Sequence, residues 1–143
     1  MLLFPKKPKY LRSYSNKKTT GSYVQLNNSF RFSNLGLIAS EAGFISNYQM
    51  EAIRLFLRRY VKKHGQIFVR FFPSQPITKK PNEVRLGRGK GGLKYWTFFV
   101  KNQKVLFEIS GYNTKVIMFA LKAIKYKLSV KSYIYNKTYR WIL

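Results

Sequence analysis

Between residues 73 and 92 the chain reads PSQPITKKPNEVRLGRGKGG, and no helix can run unbroken through it. Pro73, Pro76 and Pro81 fix φ and push the residues before them out of the helical region. Gly87, Gly89, Gly91 and Gly92 free the backbone of the second half. Lys79, Lys80, Arg85, Arg88 and Lys90, with Lys94 just beyond, face the single carboxylate of Glu83. Apolar runs at 66–72 and 95–100 flank the stretch. A long loop without a core of its own is uncommon inside a compact domain and is usually functional or disordered. One that is stiff at first, then pliable, and cationic throughout suits a finger directed into a polyanion.

The rest of the chain shares that charge. Lys and Arg number 28 against four carboxylates (Glu41, Glu51, Glu83, Glu108), a net charge of +24. Self-repulsion of this size is tolerable when a polyanion neutralises it, which puts nucleic acid first and an anionic membrane surface well behind. Hydrophobic residues make up 45% and aromatic residues 17%, so the chain has the material for a core and is no disordered polycation. At 143 residues it reads as one domain with extensions. Cysteine is absent, which excludes disulfides, zinc knuckles and thiol catalysis. The apolar runs fall far short of the roughly 20 residues that span a bilayer. The start is basic and hydroxyl-bearing like a transit peptide, but Pro5 and Pro8 break any amphipathic helix there, so it reads as mature protein. The weight of Lys, Asn, Ile, Tyr and Phe points to an AT-rich organelle genome.

Residues 1–33 show no sustained period and read as a basic arm. Lys6, Lys7, Lys9, Arg12, Lys17 and Lys18 are interleaved with Phe4, Tyr10 and Tyr14, and no acid precedes Glu41. Such an arm orders on binding RNA. Residues 35–39 form a short strand. Ser46 caps a helix whose stripe is Ile53, Phe56, Leu57, Tyr60 and Val61, with Gly65 as its stop. The opposite face carries Arg54, Arg58, Arg59, Lys62 and Lys63. Solvation is the ordinary fate of a basic helix face, but here almost no acid is present to pair with it, which favours phosphate contact. Residues 66–72 alternate as a strand, with Arg70 on its second face. Residues 95–101 and 105–109, separated by Asn102-Gln103-Lys104, have hairpin spacing. A second helix runs from 113 or 114 to 127, with Ile117, Ala120, Leu121, Ile124 and Leu128 on one side, and residues 130–135 give a last strand. The fold class is therefore α+β: a two-layer sandwich of two helices on a mainly antiparallel sheet. The domain spans 34–137, the loop 73–94 protrudes from it, and a tail occupies 138–143.

Enzyme motifs fail in context. Residues 87–92 satisfy G-x-G-x-x-G, but a proline-rich loop precedes them and a β-pattern follows, so neither a dinucleotide nor another cofactor is implied. Lys90 precedes Gly rather than Ser or Thr, which excludes a phosphate loop. His64 is the only histidine, at a helix end, and has no metal-binding company. No carboxylate pair or Ser–His arrangement supports catalysis. Trp96 packs a strand in preference to stacking a base. The glycines at 87, 89, 91 and 92 do permit close backbone approach to phosphate oxygens.

Several strings together resemble one family. Pro5-Lys6-Lys7-x-Lys9-Tyr10, residues 32–39, Gln49-Met50-Glu51-Ala52, Gly65-Gln66-Ile67-Phe68-Val69-Arg70-x-Phe72-Pro73, Pro76-Ile77-Thr78-x-Lys80-Pro81 and Val84-Arg85-x-Gly87-x-Gly89-Lys90-Gly91 before Tyr95-Trp96 are similar, in this order, to large-subunit ribosomal protein sixteen in its bacterial and organellar form. Lys79 stands where an acid is common in that family, Ser129 replaces a usual proline, and 138–143 extend past the common end. The resemblance implies a non-catalytic constituent of the large subunit, bound to large-subunit ribosomal RNA and neighbouring ribosomal proteins. It also implies a finger directed at the aminoacyl-tRNA site near the peptidyl-transferase centre. With composition it points to a mitochondrially encoded member acting in the mitochondrial matrix, with plastid or bacterial cytoplasm behind. The RNA-binding set is then the cations already named, with Tyr10 and Lys131. Two rivals are a free RNA or DNA chaperone and a peripheral membrane protein without insertion; sedimentation with large subunits and liposome flotation discriminate them.

Overall fold

The structure is a computed structural model that describes residues 3–13, 30–61, 65–85, 87, 89–111 and 114–137. Among these lie seven strands and two helices. They are β1 (Leu35–Ala39), β2 (Gly43–Ser46), α1 (Asn47–Val61), β3 (Gly65–Val69), β4 (Gln75–Lys79), β5 (Gly92–Val100), β6 (Val105–Gly111), α2 (Thr114–Lys125) and β7 (Ser132–Asn136). The α+β class and the two helices agree with the sequence. The strands, however, divide into two sheets, β3-β6-β1-β7 and β2-β5-β4, each antiparallel throughout.

That division corrects the hairpin expected between 95–101 and 105–109: β5 and β6 belong to different sheets. The turn between them is fastened to β1 instead. Gln103, at φ 60°, donates its N–H to the Ala39 carbonyl, and Ala39 donates to the Lys104 carbonyl. The three-residue spacing fits a hairpin, yet both flanking runs carry apolar groups on two faces and each finds a different partner.

Both helices form where apolar spacing and caps coincide. Ser46 and Gln49 make a reciprocal capping box: Ser46 N–H donates to Gln49 Oε1 at 3.0 Å, and Gln49 N–H donates to Ser46 Oγ at 3.2 Å. Met50, Ile53, Leu57 and Val61 of α1 meet Ile117, Ala120, Leu121 and Ile124 of α2 in one core with Leu37, Phe107 and Ile109. Gly65 opens β3, and a Cβ there would strike the Ser110 carbonyl oxygen and Val61; the helix end it was expected to stop falls outside the described residues. Lys62, Lys63 and His64 lie outside the described residues.

All five residues of β1 are buried, because its sheet is covered on both faces. Leu35, Leu37, Phe107 and Ile109 face the helices. On the other face a row of register partners crosses all four strands: Phe68, Glu108, Gly36 and Tyr135. The end of the amino-terminal arm, residues 30–33, lies along that row. Phe32 stacks on Phe68 with centroids 4.6 Å apart, and Phe30 stacks on Tyr135 at 5.2 Å. Gly36 has no side chain because the Phe30 ring and the Phe107 carbonyl occupy the space a Cβ needs.

Candidate nucleic-acid interface

The stretch from 73 to 92 is less loop-like than its prolines imply. Residues 75–79 are strand β4, paired with β5 from Gln75 opposite Thr97 to Lys79 opposite Gly92. Pro76 is tolerated because β4 is an edge strand, where one missing N–H breaks no ladder. The protrusion is therefore a β4–β5 hairpin whose loop proper is 80–91. Its mouth is closed tightly: a Cβ on Gly91 would sit 2.5 Å from the Lys79 carbonyl. Gly91 thus serves packing at the mouth, and Gly92 opens β5 with open space around its Cα. Gly87 and Gly89 differ. Their φ values of 101° and 83° demand glycine, and a Cβ on either would meet nothing within 4 Å, so their backbones are open to approach.

The loop's cations are anchored unequally. Lys80 Nζ donates to the Gly87 carbonyl across the loop, and Lys90 Nζ donates to the Ser13 carbonyl of the arm at 2.5 Å. The finger and the arm, separate in sequence, are thus brought together. Lys79 is exposed at the end of β4 and Arg85 in the loop; Lys94 is exposed on β5 with its ammonium 5.8 Å from the Tyr95 ring centre. In the arm Lys6, Lys7, Lys9 and Arg12 are exposed, as is Tyr10 with Lys9 over its ring at 5.5 Å. Lys17, Lys18 and Arg88 lie outside the described residues, as does the tail 138–143.

On α1, Arg58 and Arg59 are exposed in the last turn, while Arg54 is bound at 2.5 Å to Glu51. That hydrogen bond holds the Glu51 carboxyl below its ordinary range and raises the Arg54 guanidinium. Lys131 precedes β7, with Glu41 accepting its backbone N–H at 2.9 Å and its ammonium 3.8 Å away. Arg70 points inward to Glu108 and lies over the Phe32 ring at 5.4 Å, so its first work is internal. Trp96 is buried, packing its strand.

A model of the family described as ribosomal protein L16p/L10e matches residues 5–135 of this chain. The chain belongs to the ribosomal protein L16p/L10e family. It is accordingly a structural, non-enzymatic protein of the large ribosomal subunit, serving translation. The match takes in the described arm from Pro5, the finger, both helices and nearly all of β7. Among the described residues no helix is long and apolar enough to cross a membrane.

Three residues of this L16p/L10e chain matter to the site although the sequence did not single them out for it. Glu108 has no exposed surface, and its Oε2 accepts the backbone N–H groups of Arg31, Phe32 and Ser33 at 3.1, 2.8 and 3.1 Å. It fixes where the arm leaves the domain. Arg31 and Lys104 share the field of Arg70: Lys104 is pushed below its ordinary value by burial first, then by Arg70 and Arg31. A cation so placed gains from any anion that reaches it. The only sequence signal was the isolation of Glu108 among apolar strand residues, since an acid inside such a strand needs partners.

Proposed function

We propose that this large-subunit protein binds ribosomal RNA through its arm (residues 1–33), the outer face of α1 and the β4–β5 finger, mounted on the single domain 34–137. We further propose that the finger helps shape the aminoacyl-tRNA site and contacts that tRNA transiently, in a mitochondrial ribosome. The observation that carries the reading is how the charge is divided. Three of the four carboxylates, Glu41, Glu51 and Glu108, are already engaged by Lys131, Arg54 and Arg70. The arm, α1 and the β4–β5 finger nevertheless present Lys6, Lys7, Arg58, Arg59, Lys79 and Arg85 outward. A surface of that kind is quieted by phosphates. Recognition of folded RNA by such a surface runs through shape, phosphate and 2′-hydroxyl contacts.

Binding of large-subunit RNA to the purified chain, titrated against salt, tests this. Each neutralised phosphate contributes about 0.9 log units of affinity per log unit of salt on a duplex, so Arg58→Ala with Arg59→Ala flattens the slope by about two. An affinity independent of salt between roughly 50 and 200 mM overturns the electrostatic reading.

A further inference from the structure

The outer face of the three-stranded sheet holds a recess of about 290 Å³ lined by Phe44, Ser46, Tyr48, Gln49, Tyr95 and Thr97, with Ser129 at its edge. We infer that this recess receives one unpaired base of the RNA, held against the aromatic rings with its phosphate toward Lys94. The inference rests on the RNA-binding reading above and adds a kind of contact that phosphate neutralisation does not supply.

Register puts the aromatic residues there. Phe44 is paired with Phe99 and Ser46 with Thr97, so Phe44, Ser46, Tyr95, Thr97 and Phe99 share one face; the alternate residues Ile45 and Val100 fill the core. Phe44 and Phe99 pack edge to face at 5.1 Å, and Tyr48 leans toward Tyr95 at 6.4 Å. Tyr48 is 66% exposed and Phe44 41%, while the floor at Thr97 is sealed. Aromatic rings left in water beside a closed floor make a stacking wall.

The polar groups suit a base edge. Gln49 Oε1 accepts the Ser46 N–H at 3.0 Å. The one proton of the Ser129 hydroxyl goes mainly to the Phe44 carbonyl at 2.6 Å, with Gln49 Oε1 as a longer, shared acceptor at 3.3 Å. The oxygen is thereby fixed, and the Gln49 amide NH₂ is left as the donor of a side chain held in one orientation. Charge favours an anionic occupant over a neutral or basic one, and the exposed aromatic faces of Tyr48 and Phe44 favour a base over an acidic protein segment. No carboxylate lines the recess, the nearby Glu51 is bound to Arg54, and Lys94 stands over Tyr95. Base–aromatic stacking tolerates any sequence because every base offers a π-face.

The test uses the full chain and two probes: a fluorescently labelled uridine hexanucleotide and a blunt RNA duplex of matched charge. Tyr48→Leu with Tyr95→Leu is expected to weaken the hexanucleotide by tenfold or more and to leave duplex binding unchanged, whereas Tyr48→Phe with Tyr95→Phe keeps the single-strand affinity. If the wild-type chain binds the duplex but the leucine variant keeps its full hexanucleotide affinity, the recess holds no base and this inference fails alone. If the wild-type chain binds neither probe, the RNA-binding reading fails with it. Equal losses on both probes also overturn the inference, since they report damage to the fold; thermal unfolding of the variant, with Tyr48 so exposed, is expected to stay at the wild-type value.

Discussion

A carboxylate with no exposed surface, set among Leu106, Phe107 and Ile109, is costly to keep unless its oxygens are filled. At Glu108 they are filled by Arg70 and by three consecutive N–H groups of the arm. Glu108→Ala removes all four interactions and leaves the mostly buried Arg70 guanidinium without its carboxylate; breaking such a pair costs about 3–5 kcal/mol. Urea unfolding of the variant should show that loss, and amide exchange should speed at 31–33. Lys104 works in the opposite sense. Its folded pKa is depressed, so the charged form is penalised on folding at neutral pH, and the penalty disappears as pH rises through the depressed value to the ordinary 10.5. Lys104→Met should therefore stabilise the free chain at pH 7 and confer no gain above about pH 10.5, measured by thermal unfolding of both proteins. Glu51 titrates conversely. Its folded pKa is lowered by the Arg54 hydrogen bond, so its contribution is present above the ordinary 4.5 and lost as pH falls through the lowered value. Glu51→Gln should therefore lower stability at neutral pH by the modest amount an i,i+3 pair contributes, about 0–1 kcal/mol, and make no difference below the lowered value, so that the acid limb of the profile flattens by the same amount.

The elements were legible where a period and a cap coincide. Ser46 with Gln49, and the stripes ending at Val61 and Ile124, sufficed for both helices. β4 is hidden because prolines argue against a strand unless it lies at a sheet edge, where Pro76 is harmless, and edge position is not a local property of the sequence. β2 is hidden by its length, four residues of which the first is Gly43. The pairing of β5 and β6 was misread because loop length alone cannot say that Gln103 and Lys104 are tied to Ala39. The arm's course across Phe68, Glu108, Gly36 and Tyr135 depends on residues far apart in the chain, which no local pattern can carry. The finger's mouth yields its own test. Gly91→Val forces a side chain into the Lys79 backbone and should open the ends of β4 and β5, whereas Gly92→Ala, facing open space, should not. Amide exchange in β4 separates the two, and equal protection in both variants would show that the mouth is not closed by Gly91.

For the whole molecule the sequence alone reached the family and the charge. What it did not reach is how the cations are shared between internal and external work: Arg54 and Arg70 hold acids of the chain itself, and Lys80 and Lys90 brace the loop. Arg85 is exposed in that loop and touches no core. Arg85→Ala should therefore lower translation by assembled ribosomes while leaving thermal unfolding of the chain unchanged; a variant that unfolds while its ribosomes work normally would remove the finger's proposed role. The most direct measurement is a high-resolution reconstruction of the large subunit that contains this chain. The account predicts ribosomal RNA phosphates in hydrogen-bonding contact with Arg58, Arg59 and the backbone at Gly87 and Gly89, and the loop 80–91 extended into RNA. A loop folded back on its own domain, with the arginines of α1 facing bulk solvent, would contradict it.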